Sequence, residues 1–320
     1  MFLMNVKSQD AEVVKKMNIV IFDGYTINPG DLSWDKLDAL CDKLTVFDST
    51  SEDKALSRLT GNEILMTSKC PITRELMENS PQLKYIGCTA TGYNNIDVEA
   101  AADLGIAVTN IPAYSTDAVA QHTIALMLEL SNHVGLHNSS VQDGQWSDNE
   151  YFCYWKKSVT LLTGKSLGII GYGAIGKRVA QIARALDMEI NIFSQDPAGA
   201  MKSDFVSLHC PLTRENRHMV NTEFLVNMKP GAILINTARG GLVDERALAD
   251  AIKAGFIAGA ALDVLEQEPP AKDCPLIGLD NCIITPHIAW SPKEMRQAVI
   301  DILAENLESW LTGGMKNRVD

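Results

Sequence analysis

Residues 166–185 read SLGIIGYGAIGKRVAQIARA. Residues 167–170 form a short apolar run of the kind buried on both faces in a parallel sheet. Gly171, Gly173 and Gly176 follow, spaced G-x-G-x-x-G, and Ile175, Val179, Ile182 and Leu186 then recur at helical spacing. Strand, glycine turn and helix, in that order, is the context a dinucleotide-binding turn requires. Gly171 permits the tight turn, Gly173 lets backbone approach a pyrophosphate, and Gly176 lets the helix pack close to the strand. Ala174 and Ile175 open the helix, where unpaired N–H groups and the positive dipole end face the phosphates. The glycine spacing alone is weak, because glycines cluster in ordinary turns. The flanks carry the reading.

The chain has 320 residues, enough for two domains with separate cores. Its formal charge of −12 and the lack of a basic block argue against a nucleic-acid-binding body. They do not exclude a small anion held by one local arginine. Seven scattered cysteines contain no C-x-x-C, so neither a disulfide framework nor a zinc site is expected, and they read as small hydrophobes in a reducing cytoplasm. No apolar run approaches the ~20 residues of a membrane span. Residues 1–17 lack a secretory apolar core and read as a dispensable extension, with Met4 or Met17 as alternative starts.

Before the glycine turn, strands are predicted at 18–22, 44–47, 63–67, 84–88 and 107–109, with helices at 35–41, 72–79 and 98–104. This alternation argues for a parallel sheet. The stretch 117–130 reads as a helix apolar nearly all round, with Ser115 or Thr116 as its N-cap, and therefore buried between layers. The polar, aromatic segment 133–157 reads as irregular. After the glycine turn, strands are predicted at 205–209, 232–236, 259–262 and 282–285, and 292–310 is one amphipathic helix that could pack on either domain. The fold class is thus α/β, with two Rossmann-like, doubly wound parallel sheets and a cleft between them. The expected domains are 1–116, completed by 292–320, for substrate, and 117–291 for NAD(P).

Three stretches sharpen the function: INTARGGLVDERAL (235–248), ALDVLEQEPP (261–270) and ITPHIAWSPKEMRQ (284–297). With TATGYNNIDVEAA, NIPAYSTDAVAQHTIALML and SDFVSLHCPLTRENRHMV, they resemble the D-isomer-specific 2-hydroxyacid dehydrogenases over nearly the whole chain after Met17. The HIAW and ATGYN stretches look most like the glycerate dehydrogenase, or hydroxypyruvate reductase, branch. The resemblance implies three catalytic residues: Arg239 of T-A-R-G, Glu268 of E-x-E-P and His287 of T-P-H. Reducing a 2-oxo acid needs a carboxylate partner, a proton donor and a hydride donor. Arg239 has the planar fork for the carboxylate, and His287 can protonate the carbonyl oxygen. Glu268 can fix the imidazole tautomer and favour the imidazolium. Each also has a plainer reading: a turn histidine, a solvated loop acid, an arginine capping a strand end. Their joint occurrence at the family positions carries the assignment.

The loop at Thr91 and Gly92 is a strand-to-helix turn and, by the resemblance, an anion nest for the substrate carboxylate. Lys69 is either a substrate contact or a solvated lysine, and Trp290 either lines the pocket or packs. For the cofactor, the family implies Cys210 and Pro211 along the adenosine path, Thr237 and Ala238 near the nicotinamide, and Asp263 at its carboxamide. The position that commonly carries an acid for the ribose 2′-OH falls on Ser194, with Asp196 two residues on. NAD is therefore expected, with NADP possible, and no metal. One departure stands out. Only residues 198–202 separate the second strand from SDFVSLH, where the family usually has a further helix and strand of roughly 15 to 20 residues, well beyond ordinary loop variation. Either the adenine side is trimmed or a stretch is missing. The expected partner is a small 2-oxo or 2-hydroxy acid, with no nucleic acid or membrane, in a cytoplasmic homodimer. Phosphoglycerate dehydrogenase is the rival enzyme reading, and an NAD(H)-sensing corepressor-like scaffold the rival outside catalysis.

Overall fold

The computed structural model describes residues 17–320. The proposed N-terminal extension, but for Met17, lies outside the described residues. The described chain divides into two compact units, one running up to Tyr114 and taking in Lys293–Asp320, the other Ser115–Pro292.

The first unit runs β1 (Asn18–Ile21), α1 (Gly24–Ile27), α2 (Asp35–Asp38), β2 (Lys43–Val46), α3 (Glu52–Leu59), β3 (Ile64–Thr67), α4 (Arg74–Glu78), β4 (Tyr85–Cys88), α5 (Val98–Asp103) and β5 (Ala107–Thr109). The second holds α6 (Thr116–Asn132), α7 (Val134–Gln142), β6 (Ser166–Ile170), α8 (Ala174–Ala185), β7 (Glu189–Ile192), α9 (Pro197–Met201), β8 (Phe205–Leu208), α10 (Thr222–Asn227), β9 (Ile233–Asn236), α11 (Glu245–Lys253), β10 (Gly259–Leu262) and β11 (Cys282–Ile284). α12 (Lys293–Leu311) returns to the first unit.

Both sheets are parallel throughout. The first has the order β2-β1-β3-β4-β5. Its inner strands are apolar on both faces because helices cover both, and Val20, Leu65, Ile86 and Val108 are fully buried. α12 packs on α1, α2 and β4. It is fastened by Arg296, which pairs with Asp31 at 2.7 Å, and by the buried Asn306, whose amide donates to the Asn110 carbonyl at 3.0 Å. α2 is shorter than the predicted 35–41, because Leu40 and Cys41 close it with three-residue turns onto Leu37 and Asp38.

The second sheet has the order β11-β10-β9-β8-β6-β7. α6 lies against α8, β9 and β10, which accounts for its all-round apolar content. Ser115 is its N-cap residue, but its side chain makes no capping bond. α7 corrects the reading of 133–157 as irregular. Its Val134, Leu136 and Val141 are exposed, so the helix shows no apolar stripe to a core and no helical period in sequence.

The shortened connection after β7 closes as a complete crossover. Asp196 caps α9 by accepting from the Gly199 N–H at 2.9 Å, and α9 leads through Ser203 directly into β8. β7 is left as the sheet edge, where a full Rossmann sheet has one strand more. α9 reaches β6 only because Gly168 has no side chain: a Cβ there would overlap the Ala200 carbonyl. Gly168→Ala is therefore expected to cost about 1–3 kcal/mol, seen as a lower urea midpoint. An unchanged midpoint would show that α9 does not bear on β6.

Candidate active site

In a parallel sheet, all strands end on the same edge. In the second unit that edge collects the residues singled out from the sequence. The strand order reverses between β6 and β8, and a crevice opens at such a point. Gly171 follows β6 there with φ +99°, a conformation that favours glycine, and a Cβ on it would overlap the His209–Cys210 backbone. A Cβ on Gly176 would meet the Gly171 carbonyl, so the helix start sits directly on the turn. Gly173 is the N-cap residue of α8, and a Cβ on it would meet nothing within 4 Å. The turn is thus packed from beneath at Gly171 and Gly176 and open at Gly173. Ala174 and Ile175 follow in the first turn of α8, whose leading N–H groups have no partner within the helix. This cradle fits a dinucleotide pyrophosphate.

Cys210 and Pro211 follow β8 beside the turn. The preceding His209 escaped the sequence reading. Burial pushes its pKa down to about 4, so at pH 7 it adds no charge beneath the turn. Its Nε2 bonds the Ser207 hydroxyl at 2.9 Å, while Nδ1 is buried without a partner among the described residues. Ser194 lies exposed just past β7. Asp196, two residues on, has its Oδ1 committed to the α9 cap.

β9 ends at the buried Asn236, which shapes the next turn from both sides. It accepts from the Ala238 N–H at 3.0 Å and donates to the Arg239 carbonyl at 2.9 Å. Thr237 is buried and bonds Thr123 of α6 at 2.9 Å. The Thr123 hydroxyl donates to Val119, so Thr237 is the donor of that pair. Arg239 is exposed, with one guanidinium N–H on the Ala238 carbonyl at 2.7 Å.

β10 and β11 bring the remaining groups together. Glu268 Oε2 lies 2.6 Å from His287 Nδ1, and Glu268 Oε1 accepts from the Leu265 N–H at 3.0 Å. A carboxylate can only accept, so Nδ1 carries the proton and Nε2 stays available. His287 has φ +54°, an uncommon conformation for a side-chain-bearing residue. Its loop is held by Asp263. That buried carboxylate accepts from the Thr285 hydroxyl at 2.6 Å, the Ile288 N–H at 2.9 Å and the Ala289 N–H at 2.8 Å. His122 of α6 adds an Nε2–H bond to the Thr285 oxygen at 3.0 Å, a contact no sequence pattern signals. The geometry therefore gives Asp263 a part in placing His287, besides the nicotinamide contact expected of it.

In the first unit, Thr91 and Gly92 lie in the loop after β4. The Thr91 hydroxyl donates to the Ile111 carbonyl at 2.7 Å, and Gly92 accepts from the Cys88 thiol. Lys69 follows β3, with its N–H on Asp23 Oδ2 at 3.1 Å. Asp23, also missed in the sequence, is buried and additionally accepts from Thr67 and Ser68, tying the ends of β1 and β3 together. No cluster of metal-ligating side chains occurs among the described residues.

Residues 124–289 match the NAD binding domain of the D-isomer specific 2-hydroxyacid dehydrogenases. The chain belongs to that family. Its cofactor class is accordingly NAD(P). It is 43% identical to a hydroxypyruvate reductase of Blautia hydrogenotrophica, over 95% of this chain and all of the relative. It is 41% identical to a glycerate dehydrogenase of Methylorubrum extorquens, over 86% of this chain and 91% of that one. Among solved structures, an acyclic imino acid reductase in complex with NADPH and D-Arg is similar at TM-score 0.81 and 34% identity, covering 95% of this chain and all of that one.

Proposed function

We propose that this family member reduces hydroxypyruvate or glyoxylate to D-glycerate or glycolate, and runs the reverse oxidation. The observation that carries the mechanism is the Glu268–His287 pair at 2.6 Å, on the same sheet edge as Arg239 and the glycine turn. A bound nicotinamide supplies hydride to the carbonyl carbon. Arg239 holds the substrate carboxylate with its free guanidinium N–H groups, where a planar fork matches two oxygens. His287 gives its Nε2 proton to the carbonyl oxygen as negative charge grows there. Glu268 holds the imidazole by Nδ1 throughout, so the ring points one way and its imidazolium is stabilised. The likeness to a hydroxypyruvate reductase and a glycerate dehydrogenase supports a small, polar substrate.

With hydroxypyruvate, His287→Ala is expected to lower kcat by ~10²–10⁴-fold while the Kd for NADH, read by fluorescence, stays near wild type. Near-normal kcat in the variant would remove His287 from the mechanism. Wild type that prefers a branched or aromatic 2-oxo acid would overturn the substrate reading, and no turnover of any 2-oxo acid would favour a sensing role.

NADH is the proposed preference, held only modestly. Between Ile192 and Ala200 there is no cation to clamp a 2′-phosphate, and Ser194 does not repel one. Ser194→Asp should raise the NADH-to-NADPH ratio of kcat/KM by adding like-charge repulsion against the phosphate. A wild type that favours NADPH would contradict the assignment.

The chain is further proposed to act as a cytoplasmic homodimer. Its cysteines are free, as suits a reducing compartment. Trp146, Tyr151, Phe152 and Trp155 stand exposed together in the segment after α7, with Phe152 88% exposed. So many exposed aromatics in one segment mark a surface for association. Phe152→Asp with Trp155→Asp should shift the sedimentation mass from dimer to monomer. A monomeric wild type would refute it.

A further inference from the structure

Glu266 is the first residue of the E-x-E-P stretch, two positions before Glu268, and the mechanism above gives its side chain no part. Its side chain joins a guanidinium and an imidazole from the β8–α10 connection. It pairs with the Arg217 guanidinium and lies 3.0 Å from His218 Nε2. Its own N–H donates to Glu245 Oε1 at 2.6 Å, at the start of α11. Three separate segments therefore meet at one residue.

The meeting point adjoins both Arg239 and Glu268. Gly240, immediately after Arg239, lies so close to the Leu265–Glu266 backbone that a Cβ there would overlap the Leu265 carbonyl carbon and oxygen. The neighbouring Leu265 N–H is the donor that holds Glu268 Oε1. From the other side, the His218 N–H donates to the Gly241 carbonyl at 2.8 Å, and Val220 donates to Leu242 at 3.0 Å. Arg217 and His218 thus grip the turn after Arg239 through backbone and the loop before Glu268 through the Glu266 carboxylate. Moving that loop moves the support of Glu268, and with it the ring of His287.

We propose that Glu266 is a positioning residue: its pairing with Arg217 and His218 sets the spacing between Arg239 and the Glu268–His287 pair. The inference rests on the reductase reading above. The cluster is partly exposed, with Arg217 54% and Glu266 34% accessible. Ion pairs this exposed add little to global stability. Catalysis, in contrast, is sensitive to misplacement of about 1 Å, which can cost ~10²-fold. Glu266 should therefore matter far more for turnover than for folding, a signature a merely structural clip would not give.

The test compares wild type, Glu266→Ala and Glu266→Gln. Gln keeps an oxygen acceptor for Arg217 and His218 and is the conservative variant. For Glu266→Ala the expected result is a Tm within about 3 °C of wild type and a Kd for NADH within about twofold. KM for hydroxypyruvate should rise and kcat should fall, each by about tenfold or more, with Gln recovering most of both. Hydrogen exchange, which needs no turnover, should show faster exchange at the Leu265 and Glu266 amides in the Ala variant. Unchanged KM and kcat in Glu266→Ala would overturn the proposal, as would unchanged exchange. A wild type with no 2-oxo acid turnover would sink the reductase reading instead, and the exchange result would then decide the joint alone.

Discussion

Parallel pairing from β6 to β11 is the constraint on which the second unit depends. The strands align in register, Ile169 beside Ile192 and Ser207, and Leu262 beside Asn236 and Ile284. Because every strand runs the same way, each next residue leaves the sheet on the same edge. Gly171, His209, Thr237, Asp263 and Thr285 are such residues or their close neighbours. Residues more than a hundred positions apart are thereby gathered with no long loop required, and each stands on a rigid strand. The cost falls on the turns, where backbone must bend without steric conflict. That explains the glycine at 171 with φ +99° and the tight approach at Gly176 and Gly240.

Charge on that edge is arranged by burial and by hydrogen bonding. Asp263 is buried, and three donors surround its carboxylate. An ionised group removed from water is tolerated only when its lone pairs are filled in this way. The bonds it accepts are the ones that fold the loop around His287, so a buried carboxylate becomes the template for a half-buried imidazole. His209, by contrast, is kept neutral by burial. The same contrast appears in the first unit, where Asp23 collects Thr67, Ser68 and Lys69 at the ends of β1 and β3. In both sheets an acid at a strand end organises the loop after a neighbouring strand.

The crossover after β7 shows how one short helix can join two strands of a parallel sheet. The five residues of α9 make the whole crossover, with Asp196 as cap and Gly168 as landing site. β7 keeps its pairing with β6, and only its outer side is left without a strand. The glycine turn lies on the other side of β6, against β8, and its packing does not depend on the β7 edge. The consequence is local: the loop that carries Ser194 and Asp196 is short, and Asp196 is engaged in holding it shut.

Much of this was legible in the sequence. The run at 167–170 followed by G-x-G-x-x-G and a helical period identifies strand, turn and helix because each depends on neighbours in the chain. The apolar strands at 64–67, 85–88 and 259–262 are equally local. So are the motifs around Arg239, Glu268 and His287, which lie within a few residues of a strand end. Other features were not legible. α7 buries no apolar stripe, so its period is silent, and the six-residue α10 is too short to show one, with Asn221 as its cap. Asp263 reads as one more strand-end acid until the loop around His287 is seen folded on it. His122 and Asp23 carry no motif, since their partners are 163 and about 45 residues away. The sequence by itself determined the α/β class and the glycine turn, which follow from local period and spacing, and it pointed to the three residues proposed for chemistry through its resemblance to the family. Only the tertiary structure decided that Glu268 touches His287, that Asp263 holds their loop and that Glu266 joins three segments. Those contacts depend on strand order, which no local pattern encodes.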